Sequence, residues 1–350
     1  LNPMTPIRID LHSDTQTRPS AAMRDVMANA EVGDEQMGED PSVNQLQEMV
    51  AKLLGKEAAL FLPSGTMCNL IALSVHCRSG DEIMSDRTAH ILNVEGAGAA
   101  VIGGSFIRPL DGENGIFSAD QVRASMRSGS RYGPLSRVVS VEQTSNGGGG
   151  TVWPLATIKD VAETAGDLGL IMHMDGARLL NAAVSSGVSA KDFSDPFESV
   201  WIDLSKGLGC PIGGVLAGSA EFIKQAWRWK QRLGGAMRQA GIAAAAGIYA
   251  LENNVERMVE DHDNARLLAE RLANMGGLDI NLETVQSNLV FFDVKNTGMS
   301  GADMEAKLAE HGVRISNVRD TRMRAVTHLD VSRDQVEEAA DAVRKVLEET

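Results

Sequence analysis

Cysteine is scarce in this chain. Its three residues, Cys68, Cys77 and Cys210, form no CxxC pair, and the odd count offers neither a disulfide framework nor a zinc-ligand spacing. Cys68 and Cys77 stand nine residues apart, which on a helix would turn them to opposite faces. A reducing compartment, and so a cytoplasmic location, is the expectation. Positive charge is also in deficit: 33 Lys+Arg against 47 Asp+Glu leave a formal net charge of -14 and a pI near 5.0. Such a balance opposes nucleic acid or an anionic membrane as a main partner. Any phosphate must be held locally. No apolar run reaches the roughly 20 residues needed to span a bilayer. Residues 1–6 lack a basic segment followed by an apolar one, so no export signal is expected there. There is no internal repeat, and the four glycines 147–150 read as a mobile turn, not as a site.

What is present is an ordinary globular composition. Hydrophobic residues make up 43% and charged residues 23% of 350, enough to bury a large core, with length for one large domain plus a smaller one. Short apolar runs at 58–62, 137–141, 170–174 and 199–204 predict buried strands. Between them lie amphipathic helices. One carries Val43, Leu46, Val50 and Leu54 behind Asp40 as N-cap and Pro41 at the first helical position; another spans 155–168, opened by Pro154 and closed by Gly169. The alternation predicts an α/β fold with a mostly parallel central sheet. After about residue 250 the texture changes to a long charged helix over 253–273 and a strand over 288–294. A last helix is signed by the capping box Ser332 and Gln335, with Val336, Ala339, Ala340, Val343 and Leu347 as its buried stripe.

Two glycine patterns bear on ligand binding. Gly96-Ala-Gly98 starts like a dinucleotide fingerprint, but Val101 stands where the third glycine belongs and no strand precedes it. Ser64-Gly65-Thr66 follows an apolar strand and opens a helix, so its free N–H groups suit a phosphate, with a simple Ser/Thr cap as the plainer alternative. The stronger signal is a pair. Asp175 ends one strand and Lys206 follows the next, one crossover apart, so both reach the carboxyl edge of a parallel sheet, where open α/β sheets bind ligands. A lysine between an apolar strand and Gly207-Leu-Gly209 has little water around its ammonium, which favours a nucleophilic amine suited to a Schiff base. An aldehyde-bearing aromatic cofactor with a phosphate tail uses all three features, and pyridoxal 5'-phosphate is that cofactor.

At these residues the chain resembles the threonine aldolases of the β-eliminating lyase group, pyridoxal-phosphate enzymes of the aspartate aminotransferase fold (fold type I). The likeness runs through Asp10-Leu-His-Ser-Asp-Thr-Gln-Thr-Arg-Pro19, Gly38-Glu-Asp-Pro41, Pro63-Ser-Gly-Thr66, Asp175-Gly-Ala-Arg178, Leu204-Ser-Lys-Gly-Leu-Gly209, Gly234-Gly-Ala-Met-Arg-Gln-Ala-Gly241 and Val326-Thr-His-Leu-Asp330. It implies Lys206 as the Schiff-base lysine, Asp175 as the pyridinium partner, Gly65 and Thr66 as phosphate ligands, and His90 as the imidazole on the cofactor ring and a catalytic group. It also implies that Ser13, Arg178 and Arg324 hold the substrate carboxylate, with Arg178 near the cofactor as well. Arg238 would reach the phosphate, across the interface of a homodimer or homotetramer. No metal is implied. The implied architecture is an N-terminal arm (1–20) carrying part of the substrate site, a large cofactor-binding domain (21–250) and a smaller C-terminal α+β domain (251–350). The implied reaction is retro-aldol cleavage of a β-hydroxy-α-amino acid to glycine and an aldehyde. Some positions depart from the family. Tyr132 and Ser145 stand where relatives carry histidines, Met37 replaces a tyrosine, and Leu92, Asn93 and Val94 replace aromatics after His90. These leave three candidates for the base, His90, an ordered water or Tyr132, and point to bulkier substrates such as phenylserine. A β-eliminating lyase, a transaminase and a non-catalytic binder of the cofactor or a metabolite remain open.

Overall fold

The computed structural model describes residues 6–349. In chain order its strands are β1 (Ile9–Asp10), β2 (Ala58–Leu62), β3 (Glu82–Asp86), β4 (Phe106–Leu110), β5 (Ser136–Glu142), β6 (Ile171–Gly176), β7 (Ser199–Asp203), β8 (Gly214–Gly218), β9 (Leu289–Asp293), β10 (Val313–Arg314), β11 (Ser316–Arg319) and β12 (Arg322–Val326). Seven of them form the central sheet in the order β2-β8-β7-β6-β5-β3-β4. Within it β8 is antiparallel to both neighbours, and the remaining pairs are parallel. The mostly parallel α/β sheet of fold type I is therefore present as expected.

The chain leaves β3 toward β4 and returns on the other side of β3 at β5, so the strand order reverses there. A crevice opens outside the carboxyl ends at such a switch point. Helix Pro41–Leu54 begins at Asp40, whose Oδ1 accepts from Val43 N at 3.1 Å, with Pro41 in the first turn and Gly55 closing it at φ 64°. Helix Leu155–Asp167 starts after Pro154 as expected. The helix expected over 253–273 is Met258–Ala273, separated by a short break after Asn253 from a preceding helix, Gly241–Asn253. The break has a packing reason: Ala244, Ala246 and Ala250 face the large core around the sheet, whereas Ala265, Leu268, Ala269 and Leu272 face a second core.

That second core is shared by distant parts of the chain. Ile9 and Leu11 are fully buried in it beside Leu268, Phe292, Val336 and Val343, because β1 pairs in parallel with β10. The N-terminal segment is thereby led over the C-terminal elements and across the mouth of the crevice. Thr17 Oγ1 donates to Lys206 O at 2.9 Å, and Arg18 N donates to Asp330 Oδ2 at 2.8 Å. The last helix, Arg333–Glu348, carries the capping box at Ser332 and Gln335. No helix among the described residues is long and apolar enough to cross a membrane.

Candidate active site

A cavity of about 400 Å³ lies at the carboxyl edge of the sheet and is lined by Ser13, Thr15, Gly65, Thr66, His90, Val94, Glu95, Glu142, Thr144, Asn146, Asp175, Ala177, Arg178, Trp201, Asp203, Lys206 and Arg324. Nearly every site residue expected from the sequence meets here. Arg238 does not. Its exposed guanidinium is paired with Asp34 at 2.7 Å instead. Tyr132 is 83% exposed on a turn and is absent from the wall of this cavity.

The helix Gly65–His76 points its N-terminus into the cavity. Ser64 is its cap, its Oγ accepting from Met67 N at 3.2 Å, so the plain reading of that serine holds. The N–H groups of Gly65 and Thr66 have no acceptor among the described residues. They offer the positive end of a twelve-residue helix to an anion. Gly65 is required for this approach: a Cβ there would lie 2.2 Å from Trp201 Cη2.

Asp175, at the end of β6, is 2% exposed. Its Oδ1 accepts from Ala177 N at 3.0 Å and its Oδ2 from Asn69 Nδ2 at 2.8 Å. Lys206 is poorly solvated as expected, its side chain 15% exposed, but it also has a partner, Asp203 Oδ2, 3.1 Å from its Nζ. Asp203 in turn accepts from Ser205 N and Oγ, which fixes the carboxylate. The amine is thus held in place by a partner that sequence reasoning missed.

His90 Nδ1 lies 2.7 Å from Glu95 Oε1, leaving Nε2 without a partner among the described residues. Burial pulls this imidazole's pKa down, but the hydrogen bond to Glu95 and the charges of Asp175, Glu95 and Glu142 outweigh it and raise the pKa above its ordinary value. Glu142 ends β5, and its two oxygens accept from His90 N at 2.6 Å and Asn146 N at 2.7 Å. Burial first, then the Asp175 charge, lift its carboxyl to about 7 against those two stabilising bonds. His90, Glu95 and Asp175 also place three potential metal ligand atoms within 4.8 Å of one another, but Glu95 and Asp175 are each hydrogen-bonded to Asn69.

The two arginines differ in kind. Arg178 is 5% exposed and gives Nε and Nη2, both at 2.8 Å, to Asp14. That bidentate clamp makes it first a holder of the N-terminal segment. Arg324 has no ion pair among the described residues: Nη1 reaches Asn146 Oδ1 at 3.0 Å, Nη2 reaches His12 O at 3.3 Å, and Nε is buried with no partner. Burial, then the neighbouring Arg178 cation, depress its pKa, with Asp14 as partial compensation. A cation in that state calls for an anion in the cavity. Ser13 Oγ, 7% exposed at the cavity wall, is positioned by Thr15 N at 3.2 Å.

The glycines 147–150 lie in the turn expected, and that turn is closely packed. Gly149 and Gly150 are buried, and a Cβ on Gly148 would meet Asn114 O at 2.2 Å. Close packing is what requires glycine there, and it holds the loop that carries Asn146 toward Arg324.

The chain matches the family model described as beta-eliminating lyase over residues 10–295. It is 43% identical over 343 residues to the low specificity L-threonine aldolase of Escherichia coli strain K12, covering 97% of this chain and 99% of that one. It is 38% identical to low-specificity L-threonine aldolase 1 of Arabidopsis thaliana, covering 94% and 93%. Among solved structures, a threonine aldolase of Leishmania major superposes with a TM-score of 0.84 at 19% identity, covering 97% of this chain and all of that one, which bears on the fold alone.

Proposed function

This chain belongs to the threonine aldolase family of β-eliminating lyases, and from that premise we propose that it cleaves β-hydroxy-α-amino acids, L-threonine and L-allo-threonine among them, to glycine and an aldehyde. The observation that carries the reading is Arg324, a half-buried guanidinium whose buried Nε has no partner and which pairs with no carboxylate among the described residues, in the cavity that Lys206 lines. An amine and an unpaired cation facing one space select an amino acid by its carboxylate.

The donor set fits pyridoxal phosphate. Gly65 and Thr66 present free N–H groups to a phosphate, Asp175 presents a carboxylate to a ring nitrogen, and Lys206 presents an amine to an aldehyde. When bound, this cofactor supplies a reactive aldehyde and an electron-accepting ring.

The protein's own groups supply the rest. Arg324, with Ser13 Oγ and Nη1 of Arg178, which has no hydrogen-bond partner among the described residues, holds the substrate carboxylate and so sets the orientation of the Cα–Cβ bond. His90 takes the β-hydroxyl proton at Nε2, since Nδ1 is committed to Glu95. Lys206 Nζ, held by Asp203, returns a proton to Cα to give glycine. Val94 replaces an aromatic at the wall and is 62% exposed, which leaves room for an aryl side chain. Arg238 acts, in this reading, on the phosphate of a second copy: its exposed guanidinium projects from a segment braced by Glu35, beside exposed Met37 and Ile242. The assembly is then a homodimer or homotetramer with composite sites.

Incubation with L-threonine, L-allo-threonine and phenylserine tests the reaction. Glycine and the corresponding aldehyde are expected in equal amounts, and β-chloroalanine is expected to yield no pyruvate. Pyruvate without glycine would point to elimination instead, and a requirement for a keto acid to transamination. Arg324→Gln is expected to raise KM for threonine by about 10- to 100-fold, the range for losing a hydrogen bond to a charged group. Steady-state kinetics with threonine checks this, and an unchanged KM would remove Arg324 from the substrate site.

A further inference from the structure

Asn69 lies one turn inside the helix Gly65–His76, fully buried, with every hydrogen-bonding position of its amide engaged. Its Nδ2 donates to Asp175 Oδ2 at 2.8 Å and to Glu95 Oε1 at 2.7 Å. Its Oδ1 lies 2.7 Å from Trp201 Nε1 and 3.1 Å from His173 Nε2. The orientation of this amide follows from chemistry. An indole N–H can only donate and a carboxylate can only accept, so the oxygen must face Trp201 and the nitrogen must face the two acids.

The rest of the chain then has one solution. Oδ1 only accepts, so His173 carries its proton on Nε2. His173 is fully buried, and burial, reinforced by His76 and only partly offset by Ser199, pushes its pKa down to about 3, so the ring is neutral and Nδ1 is a lone pair. Ser199 Oγ, 2.8 Å from that Nδ1, must donate to it. The same oxygen then accepts from His76 Nε2 at 2.8 Å. His76, pushed down to about 4 by burial, is neutral as well and stacks on Phe222 with centroids 4.8 Å apart, at the far end of its helix from the cavity. Hydrogen bonds from His76 through Ser199, His173 and Asn69 therefore all point one way, ending on Asp175 and Glu95. An amide does not relay a proton in the way a hydroxyl or imidazole does, so the chain orients dipoles and does not conduct.

We propose that Asn69 is the positioning residue for the carboxylate that faces the cofactor ring, and that His76, Ser199 and His173 set it from farther along the same face of the sheet, toward the amino ends of the strands, and so tune how firmly Asp175 holds the ring nitrogen. This rests on the reading of Asp175 as the ring-nitrogen partner. Aligned bonds in a low-dielectric interior polarise one another, which extends the effect of His76 to a carboxylate it does not touch. The same amide holds Glu95 and, through it, His90, so both faces of the site share one anchor.

The chain is tested first without cofactor. Imidazole 15N shifts of the cofactor-free protein at neutral pH are expected to show His173 and His76 as neutral rings protonated at Nε2; His173 protonated at Nδ1 would overturn the assignment. Titration with pyridoxal phosphate tests the consequence. Asn69→Ala is expected to weaken its binding by about 10- to 100-fold, as for the loss of a hydrogen bond to a charged group, and to shift the absorption maximum of the bound cofactor. His76→Phe, which keeps the stacking on Phe222 but removes the donor, should weaken binding several-fold, and His76→Gln, which restores an N–H donor, should recover it. If Asn69→Ala does not fold, Ser199→Ala cuts the chain farther out and should reproduce the His76→Phe result. Wild-type affinity and spectrum in Asn69→Ala, or in Ser199→Ala where that variant stands in, would overturn the proposal while leaving the cofactor reading intact. A wild-type protein that binds no pyridoxal phosphate would overturn that reading itself.

Discussion

Alanine at Lys206 is expected to lower turnover of threonine by about 10³- to 10⁴-fold, the upper part of the range attributed to one positioned proton-transfer group, with only a small loss of folding stability. The stability half of this follows from what the side chain touches. Lys206 Nζ pairs with Asp203 Oδ2, and when the amine is gone Asp203 Oδ1 still keeps its bonds from Ser205 N and Oγ at 2.7 and 2.8 Å, so the loss is limited to one ion pair and to the Lys206 charge felt by Asp14. The bond from Thr17 Oγ1 goes to the Lys206 carbonyl, which alanine retains. The activity half follows from position. Lys206 is the lysine in the cavity wall, and the other cations there, Arg178 and Arg324, do not lose protons near neutral pH. Measuring kcat beside a thermal melt and the absorbance of bound pyridoxal phosphate separates the two halves. Activity within tenfold of wild type would remove Lys206 from the chemistry, and unchanged absorbance would remove it from the cofactor.

How much of this was legible in the sequence depends on how locally each residue was specified. Asp175 and Lys206 were readable because each follows a run of apolar residues that only a buried strand explains, and Gly65 because strand, turn and helix are contiguous. Strand Glu82–Asp86 was not readable, since its acidic ends hide a fully buried segment whose Glu82 is neutralised by Arg127 at 2.8 Å, 45 residues away. Strand Gly214–Gly218 was missed because small residues leave little apolar signal; Gly218 makes room for Phe222, which a Cβ would meet at 2.6 Å. Asn69 looks like any polar residue on a helix until its four partners from three other segments are in place. Glu95 sits immediately before the Gly96-Ala-Gly98 pattern, which does not complete a dinucleotide fingerprint. Gly98–Val101 is a four-residue helix, but the carboxylate just before the pattern anchors His90. Side chains whose roles come from long-range contacts leave no periodic trace.

Removing Asp14 is expected to cost about 3–5 kcal/mol of folding stability at neutral pH, the usual loss when one partner of a buried ion pair is deleted. Asp14 is fully buried where three segments meet: its oxygens accept from Arg178 Nε and Nη2 and from Asn288 Nδ2 at 3.0 Å. Alanine there would leave a buried guanidinium without a counter-charge and an amide donor without its acceptor. The sign of the pH dependence follows from the same contacts. Burial alone would raise the Asp14 carboxyl, but the charge and hydrogen bonds of Arg178, the Lys206 charge and Asn288 together hold it well below the usual carboxylate range. A carboxyl depressed in the folded state contributes its stability in full above its unfolded value near 4 and loses it as the pH falls through the folded value. The gap between wild type and Asp14→Ala should therefore be widest at neutral pH and close progressively below about pH 4, as urea unfolding at a series of pH values would show. Asp14→Leu combined with Arg178→Met, which removes both charges, should recover much of the stability yet not the activity, because the segment carrying Ser13 would no longer be tied to the end of β6. A gap that stays constant with pH would mean that Asp14 acts through packing alone.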